Sequence, residues 1–129
     1  MLRVILVMLL AVVSSNAMAE WISVGSNADF TSYVDPATIS KEGDKVKMWH
    51  LFDYSKPHGD VSEAKYLSMK VQDENDCKDM LSRTLAISFH SENMGRGKVI
   101  YSDSDAGKWE KVPDDSGLQI LWKTACGKK

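Results

Sequence analysis

From Lys45 to Tyr54 the chain alternates in steps of two. Val46, Met48, His50, Phe52 and Tyr54 fall on one face of an extended segment, and Lys47, Trp49, Leu51 and Asp53 on the other. Both faces carry large apolar groups, which predicts a central strand. Trp21 to Gly25 and Phe30 to Val34 predict two shorter strands before it, Asp35-Pro36 a turn, Ala37 to Ser40 a brief pairing, and Glu42-Gly43-Asp44 a hairpin turn. Lys56 to Asp60 reads as a polar loop. Alternation resumes from Lys65 to Gln72, with Leu67, Met69 and Val71 on one side. The acidic stretch around Cys77 reads as a helical turn or an irregular strand start. Leu81, Arg83, Leu85, Ile87 and Phe89 alternate again, Met94 to Gly97 forms a tight connection into Lys98 to Ser102, and Asp103 to Gly107 turns the chain.

The period then changes. Leu118, Leu121, Trp122 and Ala125 recur at i, i+3, i+4 and i+7, the stripe of an amphipathic helix, with Ser116 placed as its N-cap and Gly127 at its end. The expected fold class is α+β: a twisted antiparallel sheet of about six strands with a C-terminal helix packed on one face.

The N-terminal residues follow a different logic. Arg3 gives a short positive region, Val4 to Val13 is an unbroken apolar run, and Ala17-Met18-Ala19 forms an A-x-A cleavage site. Ten apolar residues reach only about half way across a hydrocarbon core, so residues 1–19 are expected to be a cleavable signal peptide rather than an anchor. Cleavage between Ala19 and Glu20 would leave a soluble periplasmic or secreted domain of about 110 residues, 20–129, with no membrane span. No cysteine lies just after the cleavage point, the first being Cys77, so release rather than lipid anchoring is expected.

Loss of Arg3 changes 16 basic residues against 18 acidic to 15 against 18, and the net charge from −2 to −3. So acidic a domain does not suit nonspecific nucleic-acid binding, which depends on neutralising phosphates. Two cysteines in an exported chain favour a disulfide, and both local fields oppose a reactive thiolate: Asp73, Glu74, Asp76 and Asp79 surround Cys77, while Cys126 lies at the negative end of the predicted helix. Cys77 is therefore expected to bond Cys126, tying the helix to the sheet.

Candidate chemistry is sparse. His50, His58 and His90 form no H-x-x-x-H pair, so local spacing predicts no metal site, although convergence of His50 and His90 in space stays open. Asp103-Ser104-Asp105-Ala106-Gly107 begins like a calcium loop but has Lys108 where glycine is required. No G-x-S-x-G element and no local Cys, His and Asp arrangement suggests nucleophilic catalysis. No catalytic residues, cofactors or enzyme activity are expected. Four tryptophans are many for this size, and aromatic residues dominate binding hot spots. Trp49, flanked on its face by Lys47 and Asp53, is the candidate partner-binding set.

Several stretches together resemble the surface-adhesin protein E family of Gram-negative bacteria. They are Tyr33 to Ile39, Val46 to Tyr54, Cys77, Gly97 to Ile100, Trp109 to Val112 with Pro113 and Ser116, and Leu121 to Cys126. The resemblance implies the same sheet and disulfide-tied helix, and a role in binding host matrix or serum proteins. The functional expectation is an exported, non-catalytic module for protein–protein interaction, acting as a monomer or a homodimer. The alternative is a periplasmic carrier of a small ligand, metal or haem, using His50, His90 and Met48.

Overall fold

The computed structural model describes residues 20–59 and 64–128, and the predicted signal peptide lies outside them. Alternation produces strands where it was expected. β1 (Ile22–Ser26), β2 (Phe30–Val34), β3 (Ser40–Glu42), β4 (Lys45–His58), β5 (Tyr66–Asp76), β6 (Leu81–His90), β7 (Val99–Asp103) and β8 (Glu110–Lys111) form one antiparallel sheet, followed by helix α1 (Gly117–Cys126). The main order is β1-β2-β4-β5-β6-β7, with β3 beside β4 and β8 beside β6. The expected α+β class is observed. The six long strands are those of the alternating segments, and the two extra ones have three and two residues.

Three boundaries differ from expectation. The brief pairing expected at Ala37 to Ser40 falls at Ser40–Glu42, after a 3-10 turn at Pro36–Thr38 in which the Asp35 side chain accepts the Ala37 N–H. β4 continues through the predicted polar loop to His58, because Lys56 and Pro57 fall in a register irregularity between Asp53 and His58, where proline's missing N–H breaks no ladder bond. The acidic stretch is neither helix nor strand start. β5 runs to Asp76, whose carboxylate accepts the backbone N–H groups of Lys78 and Asp79, each at 3.0 Å, and the chain reverses into β6.

One face of the sheet carries the core. Val34, Val46 and Met48 pack against Leu121 and Ala125 of α1. The helix begins where Ser116 Oγ accepts the Gln119 N–H at 3.1 Å, and ends at Gly127 in the left-handed conformation. Cys77 and Cys126 form the expected disulfide, closing a separation of 49 residues.

The opposite face is covered by chain rather than helix. A short 3-10 turn, Asn93–Gly95, folds back over the fully buried Leu51 and Ser68. Ser68 Oγ donates to the Glu92 carbonyl at 2.6 Å and accepts the Gly95 N–H at 2.8 Å. Gly95 has φ of 70°, and a Cβ there would lie 2.9 Å from Lys70 Cδ and 3.2 Å from Leu51 Cδ1, so this turn needs glycine.

Candidate functional site

The three residues proposed for partner binding share the face opposite the helix, but their circumstances differ. Trp49 is half-buried, with Lys70 Nζ 5.9 Å from its ring centroid. It borders a cleft of about 420 Å³ with Ala86, Ser88, Ser102, Asp103 and Asp105. Lys47 is exposed, between Ser40 and Glu74 in register. Asp53 is engaged: its Oδ1 accepts the Met94 N–H at 2.7 Å and the Asn93 side-chain amide at 3.0 Å, which anchors the overlying turn. Trp49 therefore opens onto a cleft, whereas Asp53 serves the fold.

The histidines do not converge. His50 pairs with Val71 and Ile87 in one row, and His90 with Ser68 three positions away, so the two rings emerge on opposite faces. His50, Met48 and His90 thus cannot share one ion. Among the described residues no group of three or more metal-binding side chains comes together. His50 is 3% exposed, and its Nε2 donates to the Asp73 carboxylate at 2.6 Å. His90 lies near Ser88 Oγ, 2.8 Å from its Nε2, and burial, reinforced by the Lys70 charge, pushes its pKa below the ordinary value.

A larger feature lies on the helix face, beyond the first turn of α1. Register sets Phe52, Met69, Phe89 and Tyr101 in a single row across β4, β5, β6 and β7. Ring contacts extend that row into a continuous aromatic chain. Phe30 meets Phe52 at 5.1 Å and Tyr54 at 5.8 Å, Tyr54 meets Tyr66 at 5.7 Å, Tyr66 stacks on Phe89 at 4.5 Å, and Phe89 meets Tyr101 at 5.5 Å. His58, expected in a loop, packs on Tyr54 at 4.1 Å. Burial, and then the neighbouring Tyr66, hold the Tyr54 phenol above its usual pKa.

This aromatic chain ends at a sheet edge. Among the described residues β7 has only β6 beside it, and its Val99 and Tyr101 are each 53% exposed. Tyr66, Phe89, Ile100, Tyr101 and Ala64 border a hollow of about 610 Å³ next to that edge. Both edge strands carry a register shift, β1 between Ser23 and Gly25 and β7 at Ile100, opposite Phe89 and His90, so the regular stretch of β7 left for further pairing runs from Tyr101 to Asp103. The free backbone of β7 can accept another strand, and the aromatic hollow can seat its side chains. Sequence reading did not find this set, because its members lie on five strands and meet only through register.

The description of the surface-adhesin protein E family fits residues 21–127. The chain belongs to the surface-adhesin protein E family. Among curated proteins, none matches it in sequence. Solved structures agree on the fold. Crystal form II of Haemophilus influenzae protein E has a TM-score of 0.67 at 14% identity, covering 88% of this chain and 92% of that one. A second structure of Haemophilus influenzae protein E gives 0.65 at 13% identity, over 88% and 89% of the two chains. Protein E from non-typeable Haemophilus influenzae gives 0.63 at 13%, over 88% and 80%. The long strands and the disulfide-tied helix are thus the architecture of an adhesin E family member, as the sequence resemblance implied.

Proposed function

We propose that this adhesin E family member is an exported, non-catalytic binding module that holds a protein partner by strand addition at β7. Partner side chains would seat on Tyr66, Phe89 and Tyr101. The carrying observation is the β7 edge, unpaired among the described residues, with Val99 and Tyr101 exposed beside the aromatic hollow. Backbone pairing supplies affinity at such an edge, while aromatic anchors supply selectivity. The family name supports an adhesin-like role at or outside the envelope. Cleavage between Ala19 and Glu20, and residence in the periplasm or outside the cell, are part of the same proposal; they are supported by the A-x-A motif and by a disulfide that suits an oxidising compartment. Trp49 and Lys47, on the other face, are a secondary contact in this reading.

The test is affinity capture from envelope extract and from extracellular protein, comparing the native protein with Val99→Lys/Tyr101→Lys. Both substitutions are at exposed positions, so melting should change little. The proposal expects specific proteins to be retained by the native chain and lost with the double variant. Equal retention by both, or nothing retained above a Cys77→Ser/Cys126→Ser control, would refute it.

A further inference from the structure

Where the first turn of α1 meets the aromatic row, the helix face opens into a cleft of about 430 Å³. Its walls are Phe30, Phe52, Val71, Ile87, Leu118 and Leu121, and its lining also includes the buried His50 and Asp73. Ser32 and Thr84 add two hydroxyl-bearing residues to a lining that is otherwise apolar, and the cleft's volume is in the lower part of the range usual for small-molecule sites. The His50–Asp73 pair is arranged with its needs half met. A carboxylate can only accept, so the ring nitrogen facing Asp73 at 2.6 Å carries the hydrogen. The other ring nitrogen, Nδ1, is buried and has no hydrogen-bond partner among the described residues. A buried polar atom left in this state is costly, and native structures usually supply a partner.

We infer that this cleft binds a small monocarboxylic acid with an apolar body, its head group paired to His50 Nδ1 and its body lying between Leu118 and the sheet. The acid chemistry follows from the pair. Neutral His50 offers Nδ1 as an acceptor, which an undissociated acid satisfies with its O–H; a protonated His50 offers N–H, which the carboxylate accepts. In either case the acid and His50 share one proton along the same line, and Asp73 steadies the ring from behind. An ester has no O–H to donate and no charge, and keeps only a neutral carbonyl acceptor for a protonated ring. The predominantly apolar walls match an alkyl or aryl body, and the Ser32 and Thr84 hydroxyls are the other polar groups of the lining. Access is through the first helical turn: Leu118 is only half-buried, and the covalent tie holding α1 is at its other end, at Cys126.

This site lies apart from the β7 edge, so its fate is independent of the binding role proposed above. Decanoic acid, kept below its micellar concentration, is the probe, with methyl decanoate as the control ligand, read by calorimetry and by NMR shifts of Leu118 and Ile87. The disulfide-bonded protein should bind the acid saturably with one site, and the ester at least tenfold more weakly. Leu118→Trp fills the mouth on a half-exposed helix position and should abolish binding without lowering the melting temperature. His50→Gln keeps a donor for Asp73 and removes Nδ1, and should weaken acid binding at least tenfold. No saturable binding would overturn the inference. Ester binding equal to the acid, or acid binding unchanged in Leu118→Trp, would overturn it too, marking adsorption elsewhere on the apolar surface.

Discussion

Trp122 Nε1 donates to the backbone carbonyl of Asp76 at 3.1 Å, so the helix is fastened to the end of β5 immediately beside the Cys77–Cys126 bond. The two fastenings act on the same corner. Trp122→Phe keeps the ring burial but orphans a buried carbonyl, which should cost about 1–3 kcal/mol in denaturant unfolding. Cys77→Ser/Cys126→Ser should cost up to about 4 kcal/mol, on the chain-entropy argument for a closed loop of this length. Trp122→Phe in the disulfide-free background should unfold the helix first, seen as lost far-ultraviolet helical signal before the sheet melts.

The His50–Asp73 pair predicts a nonadditive cycle. His50→Leu leaves Asp73 buried without its partner, and breaking such a pair from one side costs about 3–5 kcal/mol. Replacing both by leucine removes the stranded charge as well. The double variant should therefore be more stable than His50→Leu alone, measured by urea unfolding at neutral pH. A double variant that loses the sum of the two single losses would show that the pair contributes no coupling.

Gly95 carries a local prediction. Gly95→Ala must place a side chain at positive φ and push Lys70 and Leu51 aside, for a loss of about 1–3 kcal/mol. Because Gly95 N–H is bound to Ser68 Oγ, amide exchange of residues 93–95 should accelerate more than that of β4 and β5. Uniform acceleration across the sheet would show that the turn is not a separate unit.

Acid should act in two steps. His90 has a lowered pKa, caused by burial and then by Lys70. Above the ordinary histidine value of about 6.5, neither folded nor unfolded chain holds that proton and nothing is lost. As pH falls through 6.5 the unfolded chain protonates first, so stability declines until the folded His90 also takes its proton. Asp76 has a lowered pKa because it accepts the Asp79 N–H, aided by the Lys78 N–H and by the Lys45 and Lys78 charges, against the opposing effect of burial. Its contribution is present above the unfolded carboxylate value of about 3.9, and is lost as pH falls through the lower folded value. His90→Gln should flatten the first step in pH-dependent melting and leave the second.

Features set by local chemistry were legible in the sequence. Alternation in β4 marked a central strand because both Met48 and Leu51 are fully buried, on opposite faces. The helix was readable from its stripe and from Ser116 and Gly127, which cap it as expected. The Cys77–Cys126 bond was readable because the chain has two cysteines, and acidic neighbours and a helix C-terminus both oppose a free thiolate. The hidden features depend on long-range register. Asp73 looked like part of a solvated acidic loop, yet it is 5% exposed and bound to His50 across the β4–β5 ladder. His58 looked like loop because Pro57 precedes it, and only the irregular pairing lets the strand pass through. The aromatic chain was invisible for the same reason, since its rings come from residues 30 to 101. Trp49 was legible as unusual, but not that Asp53 beside it is tied to the overlying turn.

The 49-residue span between Cys77 and Cys126 contains β6, β7, β8 and nearly all of α1. Its most accessible stretch, Ser104 to Lys108, is exposed throughout. A peptidase cutting there would sever the backbone without freeing either piece, because the downstream fragment stays covalently attached through Cys126 to a half still seated in the sheet. In surroundings rich in proteases, such a chain can be nicked and remain one molecule, losing only the contiguity of its backbone.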